Sequence, residues 1–231
     1  MSPTIKRIIG GGLGLALSAM IVTSPAMADT IVLTFEGLQN AEGVNDFYNG
    51  GTGSFGSGPG SNVGIRFTNA FAFVDGDAGG SGNFGGEPSP STAITFLGAD
   101  STVMNVAAGF DTGFSFYYTS PFALGSVTVW DGLDATGNVL ATLTLGLTPD
   151  SGAPDPTGQF SPFVPFGVSF IGIARSVDFS GTANQIGFDD ITLGSATPGP
   201  SRGVPEPGSL VLLAAGALGA GVVRRWLAAG R

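Results

Sequence analysis

The chain of 231 residues contains no cysteine and no histidine, and its one lysine is Lys6. These absences exclude Ser-His-Asp and Cys-His nucleophile systems, and zinc sites built from His or Cys. Schiff-base chemistry would have only a residue of the N-terminal leader to draw on. Basic residues are scarce as well. Between residues 29 and 203 sixteen acids stand against Arg66, Arg175 and Arg202, a formal charge of −13 compared with −9 for the whole chain. Such a body repels nucleic acid, and no nucleic-acid partner is expected. Long amphipathic helices are also missing, so what remains must be built from strands, and catalysis, if any, from carboxylates.

What is present begins with an address. Lys6 and Arg7 precede an apolar run from Ile8 to Val22, and Ala26-Met27-Ala28 has the small-residue pattern of a leader cleavage site. Residues 1–28 therefore read as a signal peptide, which implies the export machinery and signal peptidase as partners and a mature chain from Asp29. At the other end Val204-Pro205-Glu206-Pro207 precedes sixteen uncharged residues, Gly208 to Val223, and then Arg224-Arg225. A helix over that run would cover about 24 Å, a short transmembrane span whose trailing arginines stay inside while the body stays outside.

That order of features resembles the PEP-CTERM sorting signal of Gram-negative bacteria. The resemblance implies recognition and cleavage by an exosortase, passage through an inner-membrane intermediate, and delivery to the cell surface or to an exopolysaccharide (biofilm) matrix. An ordinary single-pass anchor with a proline-rich stalk is the plainer alternative. The sorting residues are Val204, Pro205, Glu206, Pro207, Arg224 and Arg225, within a signal spanning 204–231.

Between the two signals, residues 29–196 read as one all-β domain followed by a Pro/Gly linker, 197–203. Runs of Val, Ile, Thr and Phe are punctuated by Gly, Pro, Asn and Asp, and alternation is visible in Ile31-Leu33-Phe35, Ile65-Phe67, Phe71-Phe73, Phe114-Phe116 and Val127-Val129. Later strands are expected over Val139–Leu147, Val168–Ile173, Ser176–Phe179 and Gln185–Leu193. About ten strands without an internal repeat suggest a β-sandwich of jelly-roll type, with first and last strands adjacent. Ser126–Trp130, the loop Asp131–Gly137 and Asn138–Leu145 form an expected hairpin.

Two glycine-rich loops interrupt the strands. The first, 49–62, holds a G-x-G-x-x-G at Gly51–Gly56 that follows no clear strand and opens no helix, so it reads as a flexible loop pinned by Phe55. The second, 75–90, places Asp75, Asp77 and Glu87 where a calcium loop could use them, although the twelfth position of an EF-hand falls on Gly86. In the closing strand Gln185–Leu193 the apolar parity breaks between Phe188 and Ile191, and a bulge at Asp189-Asp190 would restore it and re-aim one carboxylate.

The ending Phe188-Asp189-Asp190-Ile191-Thr192-Leu193, together with Phe35-Glu36 at the opening, resembles jelly-roll carbohydrate-binding modules. That resemblance implies a structural calcium between the first and last strands, held by Glu36 and Asp190, with Asp189 as the alternative. Sugar stacking would draw on Trp130, Tyr48, Tyr117 or Tyr118. The functional expectation is a non-catalytic surface or matrix protein that binds glycan or its own copies. A carboxylate-dependent glycoside hydrolase or lyase, and a ligand-free coat protein, are the alternatives.

Overall fold

A computed structural model describes residues 30–149 and 158–199, and the leader, the segment 150–157 and the sorting signal lie outside the described residues. The described chain forms twelve strands: β1 (Ile31–Leu33), β2 (Glu42–Gly43), β3 (Ile65–Thr68), β4 (Ala70–Val74), β5 (Thr92–Phe96), β6 (Ser101–Phe110), β7 (Gly113–Thr119), β8 (Gly125–Trp130), β9 (Val139–Leu145), β10 (Val164–Ser169), β11 (Ala174–Gly181) and β12 (Gly187–Leu193). No helix of the described residues is long and apolar enough to cross a membrane. The strands make two antiparallel sheets. One runs β10-β7-β12-β5-β4-β2 with β1 also on β12, and the other runs β3-β6-β11-β8-β9.

From β5 to β8 each successive strand changes sheet, and so does each from β9 to β12. Every crossing buries one apolar face, which is why the inward parity of each strand is strict. β7 points Phe114, Phe116 and Tyr118 inward, and β11 answers with Val177 and Phe179. Phe116 touches Phe188 at 5.6 Å between ring centroids, and Phe179 meets Phe188 at 4.9 Å. The phenylalanines thus weld the two sheets, and burying each of these rings contributes about 2–3 kcal/mol. Truncating Phe188, which has 0% exposure, to alanine would cost about 3–5 kcal/mol.

The expected hairpin is present, with Val127 opposite Leu143 in the β8–β9 pair. Its loop is fastened by Asp131, whose carboxylate accepts hydrogen bonds from the Asn138 amide at 2.7 Å and its side-chain nitrogen at 2.8 Å. First and last strands are adjacent, as anticipated: Ile31 faces Leu193 and Leu33 faces Ile191. The run Val168–Ile173 is not one strand. β10 ends at Ser169, and the chain turns outward so that Ile171 is 96% exposed.

The first glycine-rich loop is not pinned by Phe55, whose side chain is exposed. Glu42 holds it instead. This buried carboxylate accepts from the amides of Phe55 at 2.8 Å and Ser57 at 3.1 Å, and from Gln39 at 2.7 Å. A Cβ at Gly53 would collide with the same carboxylate, so that glycine permits the close approach. The second loop folds over the outer face of the larger sheet, where Phe84 and Phe163 pack with Ala93, Tyr117 and Phe73 into a small separate core.

Candidate functional site

The bulge in β12 is where the broken parity placed it. Asp189 pairs with Tyr117 and Thr192 with Ser115, so one extra residue sits on the β12 side. Asp190 takes a left-handed backbone, φ 46°, which an aspartate tolerates better than a branched residue. The kink lets Phe188 and Ile191 both face the core while two consecutive acids are buried between them, Asp189 at 0% and Asp190 at 1% exposure.

Three segments converge on this point. Glu36 comes from the turn after β1, and Ser89, Ser91 and Thr92 come from the chain entering β5. Glu36 Oε1 accepts from the amides of Thr92 at 2.8 Å and Ser91 at 3.0 Å, and Oε2 accepts from the Ser91 hydroxyl at 3.1 Å. Asp189 Oδ2 accepts from the Ser89 amide at 2.9 Å, and Oδ1 from the Asp190 amide at 2.7 Å. The Ser89 hydroxyl lies 2.8 Å from both Asp189 oxygens and 3.4 Å from Glu36 Oε1. Ser89 is therefore the hub that ties the last strand to the first. Sequence reading missed it, because its contact with Asp189 spans 100 residues and the Pro88-Ser89-Pro90 setting marks only a rigid loop.

Among the described residues no basic side chain compensates the cluster. The described arginines, Arg66 and Arg175, lie on β3 and β11 of the other sheet. Burial, and then the neighbouring Asp190 charge, raise Asp189 to about 8 against the lowering effect of its hydrogen bonds. Burial and the Glu36 charge raise Asp190 to about 6. Asp190 Oδ1 is buried with no hydrogen-bond partner. On one side Glu36 lines an open hollow of about 470 Å³ with Tyr48 and the 58–61 loop.

Calcium takes oxygen ligands, and this cluster offers only oxygens. Asp190 Oδ1 has its coordinating capacity unused, and Glu36 is near enough for its charge to act on Asp190. Asp189 is committed to Ser89 and to the Asp190 amide. Among the described residues no group of three or more acids is arranged as a ready metal cage. The oxygen-only donors and the unused Asp190 Oδ1 are chemistry that a calcium ion accepts, while Glu36, like Asp189, already receives hydrogen bonds on both oxygens.

The other anticipated residues are dispersed. Asp75 is buried at the end of β4, where its carbonyl accepts from the amides of Ala78 at 3.1 Å and Gly80 at 2.8 Å and so closes a turn. Asp77 is exposed and Glu87 half-buried, and the three acids of this loop form no metal-holding group. Tyr48 and Tyr118 face the core and not solvent, at 5% and 7% exposure. The Tyr48 hydroxyl accepts from the Phe35 amide at 2.7 Å, and burial raises its pKa strongly. The Tyr118 hydroxyl donates to the Gly146 carbonyl at 3.2 Å. Tyr117 is half-buried against the outer-face core, and Trp130 is half-buried with its indole nitrogen shut from solvent. None of the four is an open stacking platform. Val204, Pro205, Glu206, Pro207, Arg224 and Arg225 lie outside the described residues.

Comparison with curated proteins gives no match. Among solved structures the chain is similar to the K2 adhesin domain of Lys-gingipain at 13% identity, covering 71% of this chain and 97% of that one with a TM-score of 0.44. It is also similar to a carbohydrate-binding module of Cellvibrio mixtus lichenase 5A, solved with cellotriose, at 12% identity, 56% and 89% coverage and a TM-score of 0.34. A family 29 carbohydrate-binding module gives 11% identity, 72% and 91% coverage and a TM-score of 0.37. At its C-terminus, over residues 203–225, the chain carries a PEP-CTERM protein-sorting motif.

Proposed function

We propose that this is an exported, exosortase-sorted protein of the cell surface or extracellular matrix whose β-sandwich works by binding glycan or its own copies and not by catalysis. The observation that carries the reading is the sorting motif at 203–225 behind a single all-β body. In this reading the leader is removed by signal peptidase, the tail holds the chain at the inner membrane of a Gram-negative bacterium, and exosortase releases it to a matrix of exopolysaccharide. The eight-strand winding from β5 to β12 supports a jelly roll, extended by β1 to β4.

The engagement of the acids favours binding over hydrolysis. A glycosidase needs two carboxyls free to reach substrate. Here Glu36 and Glu42 are engaged by backbone amides, and Asp189 by Ser89 and the Asp190 amide. Acids spent on holding loops are poor proton donors or nucleophiles. We further propose that Glu36 and Asp190 hold a structural calcium that fastens β1 to β12, a device suited to a cysteine-free domain outside the cell.

Sedimentation of the full-length exported chain with the producer's own exopolysaccharide, with calcium and with EDTA, tests the reading. Co-sedimentation without any shortening of the polysaccharide supports it. Release of reducing ends or unsaturated sugar would return the hydrolase or lyase alternative. Failure to co-sediment in both conditions would leave a ligand-free coat protein.

A further inference from the structure

On the outer face of the larger sheet, lined by none of the residues of the acidic cluster, lies a cavity of about 560 Å³, well within the size range of ligand pockets. Its floor is formed by β4, β5, the end of β7 and the start of β12, and its walls by the second glycine-rich loop and the segment leading to β10. In a body of formal charge −13, none of the described residues that line this cavity carries a charge. Instead four carboxamides reach it: Asn83, Gln159, Asn184 and Gln185. Asn83 and Gln159 brace each other across the loops, with a side-chain contact of 3.3 Å and a Gln159 amide bond of 3.1 Å to Asn83.

Two aromatic rings stand at its edge. Phe122 and Phe160 are 5.7 Å apart at 86°, so their faces form a corner. Phe122 is 49% exposed, an unusual state for a phenylalanine in a chain whose other rings mostly build the core. Beneath the floor, the hydroxyls of Thr95 and Thr119 are buried without a hydrogen-bond partner. Both threonines line the cavity with the hydrogen-bonding capacity of their hydroxyls unused.

We infer that this pocket is a binding site for a neutral oligosaccharide. The inference rests on the glycan-binding reading above and names where and what the sandwich binds. Sugar rings offer apolar C–H faces that stack on rings such as Phe122, and hydroxyls that both donate to and accept from carboxamides. Acidic sugars would meet no cation among the described residues here and would have to approach a negatively charged body.

The test measures affinity of the full-length exported chain for neutral gluco-, galacto- and manno-oligosaccharides and, at matched length, for oligo-uronates. Phe122→Ala, Gln185→Ala and Thr119→Val are compared with the unchanged protein, and thermal melting monitors the fold. Binding of a neutral oligosaccharide that survives EDTA and weakens about tenfold or more in Phe122→Ala and Gln185→Ala, at unchanged melting temperature, is expected. Thr119→Val should weaken binding while leaving the fold as stable or more so, since an unpartnered hydroxyl is removed. Neutral binding that ignores all three substitutions would overturn the pocket and leave glycan binding standing. A preference for oligo-uronates would overturn the inferred ligand class. Absence of any saccharide binding would overturn the pocket and the glycan reading together.

Discussion

Glu42 and Asp190 are both acids with almost no exposure, 0% and 1%, yet the fold treats them in opposite ways. Burial alone would raise Glu42, but hydrogen bonds from the Ser57 side chain and the amides of Gln39, Ser57 and Phe55 outweigh it and hold its pKa below the usual value. Asp190 is raised to about 6 by burial and by the charge of Glu36, and its Oδ1 has no hydrogen bond. A carboxylate surrounded by backbone amides is a strut. One buried without them must carry a proton or meet a cation.

The largest effect should come from breaking the strut. Glu42→Ala leaves the amides of Gln39, Phe55 and Ser57 without their acceptor and frees the 49–62 loop, a loss on the order of 3–4 kcal/mol in urea unfolding. A loss under about 1 kcal/mol would mean that water replaces the carboxylate freely. Next, Ser89→Ala removes the hub between Asp189, Glu36 and the Thr34 carbonyl, at a cost of about 2 kcal/mol. It should also make the protein easier to cleave by protease at the β1–β12 junction, and intact protection there would argue against the hub.

The two acids also give opposite pH limbs in EDTA. Glu42 has a lowered folded pKa, so its stabilisation is present above its unfolded value of 4.5 and is lost as the pH falls below it. Asp189 and Asp190 have folded values raised to about 8 and about 6 from 3.8. Their contribution is whole below about pH 4 and declines as the pH rises through 6 to 8. Melting temperature in EDTA should therefore peak near pH 5, and a monotonic rise to pH 8 would show that the β12 acids ionise without cost. The smallest effect belongs to an exposed acid. Arg66 and Asp134 are 3.8 Å apart with side chains 54% and 64% exposed, so Arg66→Ala should change stability by less than about 0.5 kcal/mol.

Much of this was legible because the inward parity is strict. The break between Phe188 and Ile191 announced the bulge, and the alternation 126–130 and 139–145 announced the hairpin. The same rule could have removed Tyr118 from the stacking candidates, since it shares its parity with Phe114 and Phe116. Tyr48 gave no such sign. It lies in a turn, and only the folded chain reveals that its hydroxyl caps the Phe35 amide. Ser89 and the outer pocket were invisible for a related reason. Isolated residues such as Phe84, Phe122 and Phe160 in Gly- and Pro-rich loops carry no period, and their partners are set by how the loops fold back on the sheet.

Melting the exported chain and its Asp190→Asn variant at pH 8, in EDTA and in millimolar calcium, decides whether the last strand keeps a carboxylate oxygen for a cation. Calcium should raise the melting temperature of the unchanged protein by several degrees and leave the variant unmoved, while in EDTA the variant should melt no lower than the unchanged protein. Equal melting of the unchanged protein in calcium and EDTA would contradict a bound cation, and would leave Asp190 as an acid that the fold buries by holding a proton.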